Sequence, residues 1–381
     1  MSLGGGGETG IDVEFRHVTR RFGSLTAIDA VDLHVRKGEF LCLLGPASCG
    51  KTTSLRLMAG FEQPDEGVVL LGGRDARDIP PYARAVTTTL LRPGLFPHMT
   101  VLDNVEYVLR QRRLPRAERH ARAREALELV HLPGFEDCRP SVLTDRQRQR
   151  VSLARALALH PRVLLLDEPF EGLHRRLRAE LQVELRSIQE QLGMTLVTAL
   201  RDPEDALSTG DRVAVMSGGR VEQLDEPGVV YDHPRTAFVA EYVGETNFLT
   251  AEVTEAGHGR LVAKVGEDLV VRALDDGARV GDEITIGIRS GRMVASRDRT
   301  ARAACAAAGV NCALAEVVSR TYLDDSIQIV ARLARGPHVV VRERRAVAEP
   351  ELHSVVPGDT ITVSWDESAP HVCGRSRDTA A

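Results

Sequence analysis

An α/β domain with a mostly parallel sheet and a helical insertion, followed by an all-β domain, is the architecture this sequence predicts. Three observations lead there. Apolar strand-like runs alternate with helix-like runs as far as about residue 240. A Gly-rich loop stands between one such strand and a helix, and after residue 245 the pattern turns to short strands and Gly-Asp turns.

Taken in order, residues 1–10 are Gly-rich, lack the apolar core of a signal peptide, and are expected as a disordered tail. The α/β domain is expected over 11–240. Glu39 to Leu44 (Glu-Phe-Leu-Cys-Leu-Leu) reads as a buried strand, and Thr52 to Ala59 as a helix stopped by Gly60. Further strands are expected near 163–167, 194–199 and 212–216, with helices near 116–131, 147–159 and 175–192. The insertion, about 90–160, carries Arg110, Arg112, Arg113, Arg116, Arg119, Arg122 and Arg124. Because Glu118, Glu125 and Glu128 intersperse that run, a solvated helix face is the preferred reading over a patch for headgroups or a partner.

Over 245–375, Asn247-Phe-Leu-Thr-Ala-Glu-Val253 is echoed by Asn311-Cys-Ala-Leu-Ala-Glu-Val317. Gly281-Asp-Glu-Ile-Thr-Ile286 is likewise echoed by Gly358-Asp-Thr-Ile-Thr-Val363. Two copies of one small β unit fit these echoes, joined by an Ala- and Arg-rich linker (Arg297 to Gly309) expected to be poorly ordered or weakly helical. A structural or dimerisation module is preferred to a ligand-binding one. Residues 376–381 complete the chain as a tail.

With 381 residues, 43% of them hydrophobic, the chain is long enough for two or three domains with real cores. A net charge of −5 gives no reason to expect bulk nucleic-acid binding. The six cysteines form no Cys-x-x-Cys pair and the twelve histidines show no metal-ligand spacing, so a reducing, cytoplasmic compartment is the simpler reading. No apolar run approaches the roughly 18 residues that cross a bilayer, so membrane contact is expected only through a partner.

Two motifs carry chemistry. In Gly45-Pro46-Ala47-Ser48-Cys49-Gly50-Lys51-Thr52-Thr53 the spacing Gly-x-x-x-x-Gly-Lys-Thr is met, between a strand and a helix N-terminus. Backbone N–H groups of such a loop point inward and the helix dipole favours anions, so a triphosphate is held without a side chain for every oxygen. Lys51 is expected on the outer phosphates and Thr52 on Mg²⁺. The chain has three lysines among its 49 basic residues, so a lysine here does not reflect composition. The second motif, Val163-Leu-Leu-Leu-Asp-Glu-Pro169, ends an apolar strand on two adjacent carboxylates, Asp167 and Glu168.

On these motifs the chain is similar to the ATP-binding cassette (ABC) importers: residues 12–245 resemble their nucleotide-binding subunit, and 245–375 the transport-associated OB-like (TOBE) domain appended to it. Ile79-Pro-Pro-Tyr82, Leu95-Phe-Pro-His-Met-Thr-Val101, Phe238-Val-Ala-Glu-Tyr-Val-Gly-Glu-Thr-Asn-Phe-Leu249 and Gly287-Ile-Arg289 resemble strings of the spermidine/putrescine group, several of them shared with iron, sulfate and sugar importers. The resemblance implies an α/β P-loop NTPase domain with a helical insertion, followed by an all-β OB-like domain. It implies ATP and Mg²⁺ as cofactors, with Gly45 to Thr53 and Thr144 on the nucleotide and Phe22 stacked on adenine. Thr52 and Asp167 would hold the metal, Glu168 would polarise the attacking water, and Arg201 falls on the switch histidine. An arginine there can contact a γ-phosphate but cannot shuttle a proton.

Other positions depart from the family. Leu143-Thr144-Asp145-Arg146-Gln147 replaces Leu-Ser-Gly-Gly-Gln, so a carboxylate, Asp145, faces a polyanion; like charges about 4 Å apart repel by roughly 4 kcal/mol at an effective dielectric of 20, before compensation by Arg146. Leu91 takes the place of the metal-sensing glutamine, His174 that of an aspartate, and Ser48 that of a glycine, a cost of about 1 kcal/mol if φ is positive.

By resemblance the partners are two membrane-spanning permease subunits, a solute-binding protein through them, and a second ATPase in a homodimer or heterodimer. Nucleic acid is not expected, and the location is peripheral, on the cytoplasmic face of the membrane. Two alternatives accompany this reading. One is a catalytically impaired subunit that binds ATP and acts with an intact partner or as a regulator. The other is a soluble ATPase without a transporter, which the paired β units argue against.

Overall fold

A computed structural model describes residues 10–89, 94–266, 269–275, 277–298, 310–334, 336–345, 348 and 350–375. Residues 1–9 of the expected 1–10 tail, residues 299–309 of the expected 297–309 linker, the tail at 376–381 and Leu91 lie outside the described residues, while Gly10 accepts the Lys37 N–H at 2.9 Å. Two compact units are formed, the first ending at Gly228 and the second opening at Val229.

In the first unit, β1 (Ile11–Phe22) and β2 (Leu25–Arg36) are long strands whose buried positions, among them Phe15, Val18, Val31 and Leu33, fall mostly on one face. After them come β3 (Phe40–Leu44), α1 (Lys51–Ala59), β4 (Glu66–Leu71) and β5 (Arg74–Asp75). An antiparallel sheet of order β2-β1-β4-β5 results. The sequence reading contains no counterpart of it.

The remaining elements of this unit are β6 (Val86–Thr89), α2 (Val101–Gln111), α3 (Arg116–Leu129), α4 (Asp145–Leu157), β7 (Val163–Asp167), α5 (Arg175–Leu192), β8 (Thr195–Leu200), α6 (Pro203–Thr209), β9 (Arg212–Ser217) and β10 (Arg220–Asp225). The second sheet has the order β10-β9-β3-β8-β7-β6, parallel from β9 to β6, with β10 added antiparallel. Its central strands β3 and β8 are buried along their whole length; β3 reads as an uninterrupted apolar run, and β8 as a mainly apolar one that also buries Thr195 and Thr198. The expected mostly parallel sheet is therefore found, and its register sets Leu44 beside Leu200 and Asp167 beside Ala199.

Helices α2, α3 and α4 make up the expected helical insertion. Thr100 caps α2 through the Asp103 N–H, and Thr144 caps α4 in a reciprocal box with Gln147. Arg122 pairs with Glu118 at 2.7 Å along the exposed side of α3, in keeping with a solvated, charge-laced face, whereas Arg119 turns inward to the buried Glu106 of α2 at 3.6 Å.

The second unit gathers α7 (Pro227–Asp232) from Val229 onward, α8 (Ala237–Val243) and β11 (Thr246–Gly257), β12 (Arg260–Val265), β13 (Leu269–Leu274) and β14 (Glu283–Arg289). Residues 229–243 group with this unit, whereas the sequence reading carries the first domain to 240. Arg289 shows the physical reason: its guanidinium donates to the carbonyls of Tyr231, Ala240 and Gly244 and lies 4.5 Å from the Tyr231 ring centroid.

Next follow β15 (Val294–Ser296), β16 (Asn311–Tyr322), β17 (Ser326–Leu333), β18 (His338–Arg344), β19 (Thr360–Trp365) and β20 (Pro370–Arg375). Two five-stranded antiparallel sheets, β13-β12-β11-β14-β20 and β15-β19-β16-β17-β18, share one apolar core. Each copy of the repeat sends its last short strand into the other sheet: β15 pairs with β19, and β20 pairs with β14. The repeated asparagines act reciprocally as well. Asn247 brackets the backbone of Val340, with both bonds 2.7 Å, and Asn311 brackets that of Arg272 at 2.7 and 2.9 Å.

Candidate nucleotide site

The first unit builds its site where β3, β7 and β8 end side by side. Leaving β3, the chain turns at Gly45 (φ 159°), Ser48 (φ 62°) and Gly50 (φ 106°) before α1 begins at Lys51. A Cβ at Gly45 would lie 2.3 Å from the Met216 carbonyl oxygen, and one at Gly50 2.6 Å from that of Ala27, so both need glycine. The positive φ at Ser48 meets the condition under which the missing glycine has a cost.

Among the described residues, the amides of Ala47, Ser48, Cys49 and Gly50 donate to no backbone carbonyl. Unpaired N–H groups at a helix start form the expected anion cradle. Lys51 is buried, and its Nζ donates to the carbonyls of Gly45 (2.6 Å) and Pro46 (2.7 Å), bridging the loop that it would leave for a phosphate. Thr52 and Asp167 meet as expected: Thr52 Oγ1 donates to Asp167 Oδ1 at 3.2 Å. A hydroxyl and a carboxylate in contact beside a phosphate loop are the donor set a Mg-nucleotide needs from the protein, so the residues fit the ion. Thr53 follows on the first turn of α1, half-buried.

Glu168 lies one residue past β7 in a left-handed conformation (φ 49°), its N–H bonded to the Ala199 carbonyl at 3.0 Å. Burial raises its carboxyl above the ordinary value, opposed first by Arg201 and then by Lys51; Asp167 and Glu171 add to the rise. Arg201 Nε sits 3.0 Å from Glu168 Oε1, and its Nη1 4.0 Å from Glu171 Oε1. The loop that carries Arg201 is anchored to α5 by Arg178, which reaches Asp202 at 2.7 Å and Asp205 at 3.1 Å.

Other expected residues are placed apart from this cluster. Phe22 ends β1, 43% exposed, with the Arg20 guanidinium carbon 4.7 Å from its ring centroid. Thr144 is occupied as the cap of α4. Asp145 pairs with Arg148, three residues on along the same helix face, while Arg146 reaches Glu180 at 2.7 Å. His174 stands at the N-cap position of α5 without a side-chain cap bond. A recess of about 310 Å³ between α4 and α5 reaches Asp167 but no residue of the phosphate loop, so the loop and not the recess defines the site.

Sequence reasoning missed Arg84. This buried guanidinium donates to the carbonyls of Leu57 and Met58 at the C-terminal end of α1, and to those of Ala76 and Ile79. It holds the far end of the helix whose first residues are Lys51 and Thr52. Nothing distinguishes it in sequence from the other arginines.

Comparison with known proteins agrees with this geometry. Residues 28–171 match the family described as ABC transporter, and 286–373 match the TOBE domain. A spermidine/putrescine import ATP-binding protein PotA from Rubrobacter xylanophilus is 40% identical over 93% of this chain and 92% of its own length. Its counterpart from Methylococcus capsulatus is 42% identical over 92% and 89%. Among solved structures, a dimeric ATP-binding cassette in a post-hydrolysis state, bound to ADP and Pi, matches 56% of this chain and 98% of its own, at 28% identity and a TM-score of 0.50. The cbiO1 protein of Clostridium perfringens, part of an ABC transporter complex, shares the fold at a TM-score of 0.55 and 24% identity, over 61% of this chain and 92% of its own. Similarity of this extent, running through both domains in the same order, makes the chain a member of the ABC transporter family.

Proposed function

We propose that this chain is the ATP-binding subunit that energises an importer of polyamines of the spermidine/putrescine kind, coupling ATP binding and hydrolysis to transport. The observation that carries the reading is the loop of unpaired amides running into α1, with Lys51 above it and Thr52 touching Asp167. The solute class rests on the names of relatives that match nine tenths of the chain. No helix among the described residues is long and apolar enough to cross a membrane, which fits a peripheral subunit at the cytoplasmic face beneath two permease subunits, reached by a solute-binding protein.

In this reading the amides of Ala47 to Gly50 and Lys51 hold the β- and γ-phosphates, and Phe22 offers its exposed ring to adenine. Thr52 and Asp167 hold Mg²⁺, which neutralises phosphate charge when bound. Glu168 takes the proton of the attacking water. Thr144, at the exposed start of α4, faces the nucleotide of a second ATPase subunit in a dimer. Lys51→Ala is expected to weaken Mg-ATP binding about 10- to 100-fold, the worth of charge-assisted hydrogen bonds to phosphate. Unchanged affinity by calorimetry would overturn the reading.

A second reading, low turnover in the homodimer, is favoured by Asp145, whose side chain is 98% exposed where a nucleotide of the partner would approach. Replacing Asp145 and Arg146 by Gly, Leu91 by Gln and Arg201 by His is expected to raise ATP hydrolysis about 100-fold. Equal rates in parent and revertant remove this second reading.

A further inference from the structure

The geometry points to a second anion site in the first unit: the cleft between the α2–α3 turn and the segments that lead into β6 and β7 binds a phosphate monoester, with Arg112 as its main anion-holding group. None of the residues lining this cleft belongs to the phosphate loop, so the inference goes beyond the nucleotide-binding reading and does not depend on it.

Charge marks the site. The cleft has a volume of about 450 Å³ and is lined by Arg84, Arg112, Arg122 and His160, with no carboxylate in the lining. Two of these groups are answered from outside it, Arg122 by Glu118 at 2.7 Å and His160 by Glu125 at 3.7 Å. The other two are not. Arg84, only 3% exposed, donates to four carbonyls and meets no carboxylate among the described residues, and burial lowers its pKa. It stays protonated even so, because a guanidinium does not lose its proton in the physiological range. The exposed side chain of Arg112 has neither a hydrogen bond nor an ion pair among the described residues.

These facts select the ligand. Two unanswered positive charges at one cleft call for two negative charges on one group. A phosphate monoester carries about −1.5 to −2 near pH 7 on three acceptor oxygens, whereas a carboxylate carries one charge on two. Arg112 is free to take the phosphate in a forked pair of hydrogen bonds. Arg84, its N–H groups already engaged, contributes through its field from the buried side. Leu109, Leu114 and Leu159 offer apolar surface in the same cleft, whose volume is that of a pocket for a small organic molecule and exceeds a bare phosphate. The ligand is therefore a phosphate ester with a carbon body, either a soluble one or the headgroup of an anionic lipid.

The test is calorimetry at low ionic strength with phenyl phosphate as the probe. The full-length chain carries Lys51→Ala, which weakens any competing binding at the phosphate loop. Phenyl phosphate is expected to bind this chain, and adding Arg112→Gln is expected to weaken binding about 10-fold or more, the worth of one charge-assisted hydrogen bond. Arg112→Lys, which keeps the charge, is expected to recover part of the loss and is the second variant. Benzoate, a similar body with a single charge, is expected to bind about 10-fold more weakly than phenyl phosphate. Co-sedimentation with phosphatidic acid vesicles, against phosphatidylcholine vesicles, separates the two sources. Sedimentation with phosphatidic acid that is lost in Arg112→Gln supports the site with a lipid headgroup as its ligand, and phenyl phosphate binding without sedimentation supports it with a soluble ester. No phenyl phosphate binding, or equal affinity with and without Arg112→Gln, overturns the site whatever the vesicles show. Benzoate bound as tightly as phenyl phosphate overturns the assignment to a phosphate.

Discussion

Ser48 and Glu168 both hold left-handed backbones, at φ 62° and 49°, and they face the same chemistry from the phosphate loop and from the end of β7. For a residue with a Cβ that conformation costs about 1–2 kcal/mol. At Glu168 the strain positions a carboxylate, and at Ser48 it does nothing that a glycine would not do. Ser48→Gly is therefore expected to stabilise the first unit by about 0.5 kcal/mol, strain relief being partly offset by the freedom glycine adds to the unfolded chain. Slower amide exchange over α1 checks it, and faster exchange counts against it. The motif identified Lys51, Thr52, Asp167 and Glu168 because each role demands a residue type at a set spacing. The ion pair between Glu168 and Arg201 had no such signal, since it joins loops 33 positions apart through the parallel register of β7 and β8.

Elements were legible where burial is one-sided or complete. β3 and the first four residues of β7 appear as unbroken apolar runs and β8 as a mainly apolar one, and α1 and α5 end on Gly60 and Gly193 in the left-handed cap conformation. β1 escaped because register shifts interrupt its alternation, whereas β2 keeps a two-residue period over Val31-Asp-Leu-His-Val-Arg36 that the sequence reading left unused. α1 also depends on a partner far from its motif. Arg84→Ala would strand the carbonyls of Leu57 and Met58 and empty a space beside Gly60. We expect a loss of about 3 kcal/mol, comparable to removing a buried charge-assisted network, with weaker Mg-ATP binding because α1 carries Lys51 and Thr52. Thermal unfolding followed by circular dichroism and nucleotide calorimetry check the two parts. Normal values in both would show that α1 needs no anchor at this end.

At the scale of the whole molecule, the repeat in the sequence proves to be a reciprocal structure. Asn247 and Asn311, the first residues of the echoed strings, each bond the backbone of the opposite copy, and β15 and β20 complete the opposite sheets. Asn247→Ala and Asn311→Ala are each expected to destabilise the second unit by about 1–2 kcal/mol, since each removes two hydrogen bonds from a part-buried N–H and carbonyl. Trp365, the single tryptophan, lies in this unit's core, so its fluorescence in urea reports the loss. No shift in the midpoint would mean that the brackets are dispensable. The sequence by itself determined the fold class, the phosphate loop, the acid pair and the presence of two β copies, because spacing, apolar period and repetition are local properties of a chain. Only the tertiary structure decided that Arg201 rests on Glu168, that Arg146 reaches Glu180, that Arg84 anchors α1, and that the β copies exchange strands. Those facts depend on register and on packing between distant segments, which no local pattern encodes.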